Sequence, residues 1–385
     1  MFNLYEVFRV MGLILCMRIS NRLSIIMNGT IIFMLLLSCK GSTPVSSDKA
    51  ETLRSVSSFP VGVAVREDLL LNNISYRNVV MNEYNSITPE NAGKFESLHP
   101  QENVFDFSNL DTIVAFAVKN KIRVHGTTLI WHDLSELQWL KKFDGDSTAW
   151  ESIFRNHIQT VVKHYKGKVR SWDVVNEPFH DNGSLRIEEG EKGDEPGSVW
   201  ARHLGKDYIA RAFLYAHEAD TDALLFLNDF DLQYSKFQKK IDAMVALAKD
   251  FRERGIPVHG LGMQMHIGIS ADNDEIASGM RQLAATGLLV HISEVSILVS
   301  DWKRDMSLVL TDELQKKQSD KYQFLAQAYR QSVPPDQRYG ITIWGVSDAN
   351  SWIMGMFNLR DWPLPFDSLY RKKPAYWGFR AGLKE

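Results

Sequence analysis

The sequence predicts a (β/α)8 barrel. Three observations carry the expectation. Short β-rich runs alternate with longer stretches of helical period from residue 59 onward, eight such runs can be counted, and polar clusters follow many of them rather than one. An open doubly wound sheet is the competitor. It is disfavoured because no Gly-rich phosphate loop follows the first run and because its ligand residues would gather at a single switch point.

The expected strands are residues 59–65, 79–84, 122–126, 169–175, 223–228, 258–265, 288–293 and 340–346, each rich in β-branched or aromatic residues. Helices are expected over 110–120, 150–165, 207–219, 236–254, 274–285 and 312–331, where apolar residues recur at three- and four-residue spacing. Eight such βα units close a TIM barrel, and 59–385 is read as one domain.

The residues ahead of that body carry an address. Arg18 and Arg22 precede an apolar stretch over 25–37, broken only by Asn28, Gly29 and Thr30, as in a secretory signal; a membrane span needs about 20 apolar residues. Leu36-Leu37-Ser38-Cys39 is similar to a bacterial lipoprotein cleavage box. Residues 1–38 are therefore expected to be a lipoprotein-type signal peptide and Cys39 the lipidated first residue, anchored in a membrane and facing the periplasm or the cell surface. Residues before Met17 fit no part of that signal and point to a start codon placed too early. Residues 39–58, rich in Ser, Thr and Lys, read as a flexible tether.

A net charge of −3 gives no basic excess for nucleic acid or an anionic membrane surface. A neutral partner fits better, and ten tryptophans and twelve tyrosines permit stacking on sugar rings without demanding it. Cys16 and Cys39 are the only cysteines, both ahead of the body, so the fold has neither a disulfide nor a Cys-based zinc site, and no HExxH motif occurs.

Two runs end abruptly in a carboxylate. Ser171-Trp172-Asp173-Val174-Val175-Asn176-Glu177-Pro178 closes on an amide, an acid and a proline that stops pairing; Val290-His291-Ile292-Ser293-Glu294 closes on an acid. The C-terminal ends of barrel strands form the catalytic face, so Glu177 and Glu294 can share one cleft, the requirement of a glycosidase. Gln264 and His266, two apart at the end of the sixth run, point to one face. Glu90, Asn91 and Lys94 offer an acid, an amide and an ammonium in a short loop, although a capped helix start would look the same. Trp344 closes the last run and Trp352 follows in the next loop, where a sugar face could stack.

Over most of 59–379 the chain resembles glycoside hydrolase family 10, the xylanase family. The matching segments, in order, are Ile87-Thr88-Pro89-Glu90-Asn91, Thr128-Leu129-Ile130-Trp131-His132, Trp172-Asp173-Val174-Val175-Asn176-Glu177, Asn228-Asp229-Phe230, Gly262-Met263-Gln264-Met265-His266, Ser293-Glu294 and Ile343-Trp344-Gly345-Val346-Ser347-Asp348. The resemblance implies a retaining endo-β-1,4-xylanase with Glu177 as acid/base and Glu294 as nucleophile. It implies that Asn176 binds the hydroxyl beside the reacting carbon and that Glu90, Asn91 and Lys94 hold xylose on the non-reducing side. Trp131, His132, Gln264, His266, Trp344 and Trp352 would shape the cleavage subsite. It implies no metal or organic cofactor, and xylan or a xylo-oligosaccharide is expected as the partner of a monomer. Nearby Glu294 is expected to raise the pKa of Glu177.

Two departures stand out. Thr127 occupies the place of the family's histidine after the third-strand glycine, and His125 is read as one residue out of register, on the opposite face. Ser296 replaces an aspartate two positions after the nucleophile, removing an expected partner of His266. They motivate one alternative to an active xylanase, a weakly active or non-catalytic xylan-binding lipoprotein; a second, a β-1,4-glucan-active enzyme, is left open because the cleft loops decide whether a hydroxymethyl group fits.

Overall fold

In a computed structural model, residues 51–134, 137–187 and 197–385 are described. The expected signal peptide, Cys39 and the first part of the tether lie outside them. The tether's final residues are inside, and they join the body: a helical turn, Leu53–Val56, buries Leu53, whose N–H donates to Glu83 at 3.0 Å.

Eight parallel strands close into a barrel in sequence order. They are β1 (Val61–Val65), β2 (Ser86–Pro89), β3 (Arg123–Gly126), β4 (Ser171–Asn176), β5 (Leu224–Asp229), β6 (Gly260–Gly268), β7 (Leu289–Leu298) and β8 (Arg338–Ile343). All the expected strands overlap these elements except the second. Residues 79–84 end a helix, Ile74–Glu83, rather than forming a strand. Asn73 caps it by accepting from Tyr76 N at 3.0 Å, and Tyr76, Val80 and Glu83 are buried at helical spacing. The true β2 lies a few residues on and is short. β8 stops at Ile343, since Gly345 turns the chain with φ +122.

The six expected helices form. Ser147–His164 shows why: Asp146 caps it through Ala149 N at 2.9 Å, and one face buries Trp150, Phe154, His157, Ile158, Val161 and Val162 against the barrel. The sequence pattern missed the helix Pro374–Leu383, which packs on Asp312–Ser332 through the Tyr322–Phe379 ring contact at 5.7 Å.

Beneath the cleft the barrel interior is polar. His125 Nδ1 lies 2.7 Å from Ser171 Oγ and His125 Nε2 3.1 Å from Asp173 Oδ2, and Ser171 also bonds Tyr339. His125 therefore faces the interior, below Thr127, which lines the cleft. The expected opposite face is corrected: His125 points into the barrel interior, under the cleft that Thr127, just past the end of β3, lines.

Candidate active site

The carboxylates stand where the strand ends aim them. Glu177 follows β4 in the left-handed region, φ +54, a conformation unfavourable for a glutamate and held by its surroundings. Its N–H donates to Asn228 O at 2.8 Å, and its carbonyl accepts from Arg186 Nε at 3.0 Å. Glu294 lies within β7, and a bulge brings it into the cleft. Met263 pairs with Ile292 but Gln264 pairs with Glu294, leaving Ser293 unpaired and resetting the alternation.

Amides link the two acids. Asn228 Nδ2 donates to Asn176 Oδ1 at 2.8 Å and to Glu294 Oε1 at 3.2 Å, and Asn176 Nδ2 donates to Glu177 Oε1 at 3.1 Å. Ser293 Oγ fixes the Asn228 amide from its other end at 2.7 Å. Gly262 makes room for it, because a Cβ there would sit 2.1 Å from Asn228 Oδ1. Gln264 Nε2 and Trp131 Nε1 each donate to Glu177 at 2.9 Å, and His266 Nε2 lies 3.3 Å from Glu294 Oε2.

One cleft of about 730 Å³ is lined by Glu90, Asn91, Lys94, Trp131, Asn176, Glu177, Gln264, His266, Glu294, Trp344 and Trp352, all of them residues singled out in the sequence. His132 is the exception. It stands behind Glu177, with Nδ1 3.8 Å from Oε2, and lines a separate depression. Trp352 opens a short helix, Trp352–Phe357, rather than lying in a loop, and its ring meets that of His266 at 5.1 Å. Lys94 Nζ bonds Asn91 Oδ1 at 3.0 Å and lies 5.2 Å from the Trp131 ring centroid.

Sequence pattern attaches no role to Phe230, Asp231, Tyr234 or Trp302, which also line the cleft, nor to Asn228. The missed signal at Asn228 was the one used at Glu177: an apolar run closing on polar residues, Asn228-Asp229. Behind Phe230 stands Lys240, fully buried, 2.9 Å from Asp229 Oδ1 and 3.3 Å from the Phe230 ring centroid.

Electrostatics reverse one expectation. Burial pushes the Glu177 carboxyl up, but His132 and the hydrogen bonds from Gln264 and Trp131 together outweigh it and hold its pKa below the ordinary value. Burial pushes Glu294 above its ordinary value, against the His266 hydrogen bond and with the charge of Glu177. Burial and the opposing pull of His132, ahead of the two donors, thus govern Glu177 in the free cleft rather than the proximity of Glu294. Burial also raises Glu90 to about 7, against Arg66 and Lys94, and lowers His132 to about 4.

The model of Glycosyl hydrolase family 10 matches residues 51–381. The chain belongs to that family. This family 10 hydrolase is 33% identical over 345 residues to an endo-1,4-beta-xylanase of Geobacillus stearothermophilus, covering 85% of the chain and 97% of the relative. It is 34% identical over 349 residues to the endo-beta-1,4-xylanase Xyn10C of Cellvibrio japonicus, and there it spans only 56% of the relative's length. The solved structure of that xylanase superposes with a TM-score of 0.80 at 34% identity, covering 87% of this chain and 73% of that one. Xylanase 10B from Thermotoga petrophila, solved in complex with xylobiose, superposes at 0.77 with 30% identity, covering 86% and 97%.

Proposed function

We propose that this family 10 hydrolase is an endo-β-1,4-xylanase that cleaves internal xylosidic bonds with retention. The carrying observation is the Glu177/Glu294 pair, just after β4 and within β7, joined through Asn176 and Asn228 within one cleft. In the first step a Glu294 oxygen attacks the anomeric carbon as Glu177 gives its proton to the departing glycosidic oxygen. In the second, Glu177 takes a proton from water, whose oxygen displaces Glu294 from the same carbon. Two inversions restore the β configuration.

Protonation must alternate at Glu177. The Gln264 and Trp131 N–H groups favour the ionised carboxylate, which suits the second step. For the first, sugar hydroxyls that draw those donors away raise its proton affinity as substrate binds. Glu90, Asn91 and Lys94 supply charge and hydrogen bonds to xylose hydroxyls on the glycone side, and Trp344 and Trp352 supply apolar faces.

Incubation with xylan tests the proposal. Viscosity should fall early while reducing ends accumulate, xylan should be preferred over a soluble cellulose derivative, and Glu294→Ala should abolish release. Activity retained by that variant, or a preference for the cellulose derivative, contradicts it.

Export and lipid attachment at Cys39 are part of the same proposal, supported by Arg18, Arg22 and the apolar stretch that follows. Cys39→Ala should move the protein from the membrane to the soluble fraction of expressing cells; an unchanged distribution rejects the anchor.

A further inference from the structure

The two banks of the cleft differ in chemistry. After β2 stand Glu90, Asn91 and Lys94, all able to hydrogen-bond hydroxyls. The segments after β7 and β8 contribute Trp302, Trp344, Trp352, Met356 and Phe357, and beyond buried Trp344 and half-buried Trp352 this bank continues outward as Trp302, Met356 and Phe357, which are 37, 70 and 45% exposed. Exposed apolar groups gathered at the mouth of a site, rather than scattered, mark a binding surface.

This outer rim is built. Asp301 and Trp302 are consecutive left-handed residues, φ +52 and +65, and such a conformation is costly for a bulky side chain unless the surroundings impose it. They do so here. Val299 N and Ser300 N donate to the Asp361 carboxylate at 3.0 and 2.9 Å, Ser270 N donates to Asp301 Oδ1 at 2.9 Å, and Lys303 N closes the turn on Ser300 O at 3.0 Å. The result is an indole held outward, its ring edge-to-face with Phe357 at 5.4 Å. Phe357 in turn meets Trp352 at 5.6 Å, and Trp352 meets His266 beside Glu294. The rim is thus continuous with the reacting centre through ring contacts.

A sugar ring offers hydroxyls around its edge, and among the described residues that line the cleft, Trp302, Met356 and Phe357 on this outer bank bring no strong side-chain hydrogen-bonding group except the Trp302 indole N–H. An aromatic acyl group offers a flat apolar face and few hydrogen-bonding atoms. It can stack on Trp302 and Phe357 and contact the Met356 sulfur, an adaptable surface for such a ring. Resting on the xylanase reading, we propose that the Trp302–Met356–Phe357 rim recognises an aromatic acyl ester carried by the xylan chain, so that the preferred substrate is an esterified xylan.

The test compares xylo-oligosaccharides carrying hydroxycinnamoyl esters with the same oligosaccharides after mild alkaline saponification. For Trp302→Ala, kcat/KM on the esterified substrate should fall about five- to tenfold, while the saponified one changes less than about twofold; Trp302→Phe should retain most of the preference. Equal losses on both would make the rim an ordinary sugar platform, and no loss on either would make it inert; each overturns the inference. Binding of both ligands to Glu294→Ala, measured by calorimetry, reads the rim without turnover. If the unaltered enzyme cleaves neither substrate, the xylanase reading fails, and equal calorimetric affinities then also overturn the rim.

Discussion

Gln264 ties the acid/base to the nucleophile's strand: its Nε2 donates to Glu177 Oε1 at 2.9 Å, while its backbone register partner on β7 is Glu294. The residue that tunes the acid/base is therefore built into the strand pairing that positions the nucleophile. Gln264→Ala removes a donor that favours the ionised Glu177, so the acid should keep its proton to higher pH. The basic limb of kcat/KM is expected to move upward, with kcat down roughly tenfold or more. A downward move in the pH–rate profile would contradict the role.

Asn228 is the hinge of the amide network, donating to Asn176 and Glu294 and accepting from Ser293. Asn228→Ala should cost about 1–3 kcal/mol of stability, since buried partners lose their bonds, and should lower kcat about 100-fold. Asn228→Asp would place a second charge against Glu294, raising its pKa and shifting the acidic limb of the profile upward. Denaturant melts and rate profiles of both variants check the pair of expectations.

Lys240 and Asp229 form an ion pair with no exposed surface, and burial raises Asp229 to about 6 against the pull of Lys240. Lys240→Met leaves that carboxylate without its cation and takes away the charge beneath Phe230. A loss of about 3–5 kcal/mol is expected in urea unfolding. The double variant Lys240→Met/Asp229→Asn should recover part of it; no recovery would show that the pair is not the source.

His99 is stacked between Phe95 and Phe105 at 5.2 and 4.2 Å, and burial lowers its pKa to about 4. An unfolded histidine takes a proton near 6.5, so the stability this residue contributes is present above that pH and is lost as pH falls toward 4. His99→Phe keeps the stack and removes the titration. Its melting temperature should fall less than that of the unaltered protein between pH 7 and 5, by roughly 2 °C or more; an equal fall would remove His99 from the pH dependence.

Much of the barrel was legible because its signals are local. Alternating runs bounded by polar residues mark β4 to β7, and the carboxylates at the ends of two of them mark the cleft. Residues 79–84 misled because Val79-Val80-Met81 has strand composition. The deciding fact is one-sided burial at Tyr76, Val80 and Glu83, a tertiary property. β2 was hidden by its length and its proline. The Ser293 bulge, which turns Glu294 inward, and the placement of His132 behind Glu177 depend on pairing between distant segments, which periodicity does not contain. So does the proton balance of Glu177: its sign is set by His132 and then by donors from β6 and the segment after β3, acting against burial.

The most direct test of the double displacement is covalent trapping. An activated 2-deoxy-2-fluoro-xylobioside should add one fluoroxylobiosyl group to the intact protein, and peptide mass spectrometry should locate it on Glu294. Glu294→Ala should remain unlabelled. An adduct on any other residue, or inversion of configuration in the first product seen by NMR with no adduct formed, would contradict the assignment.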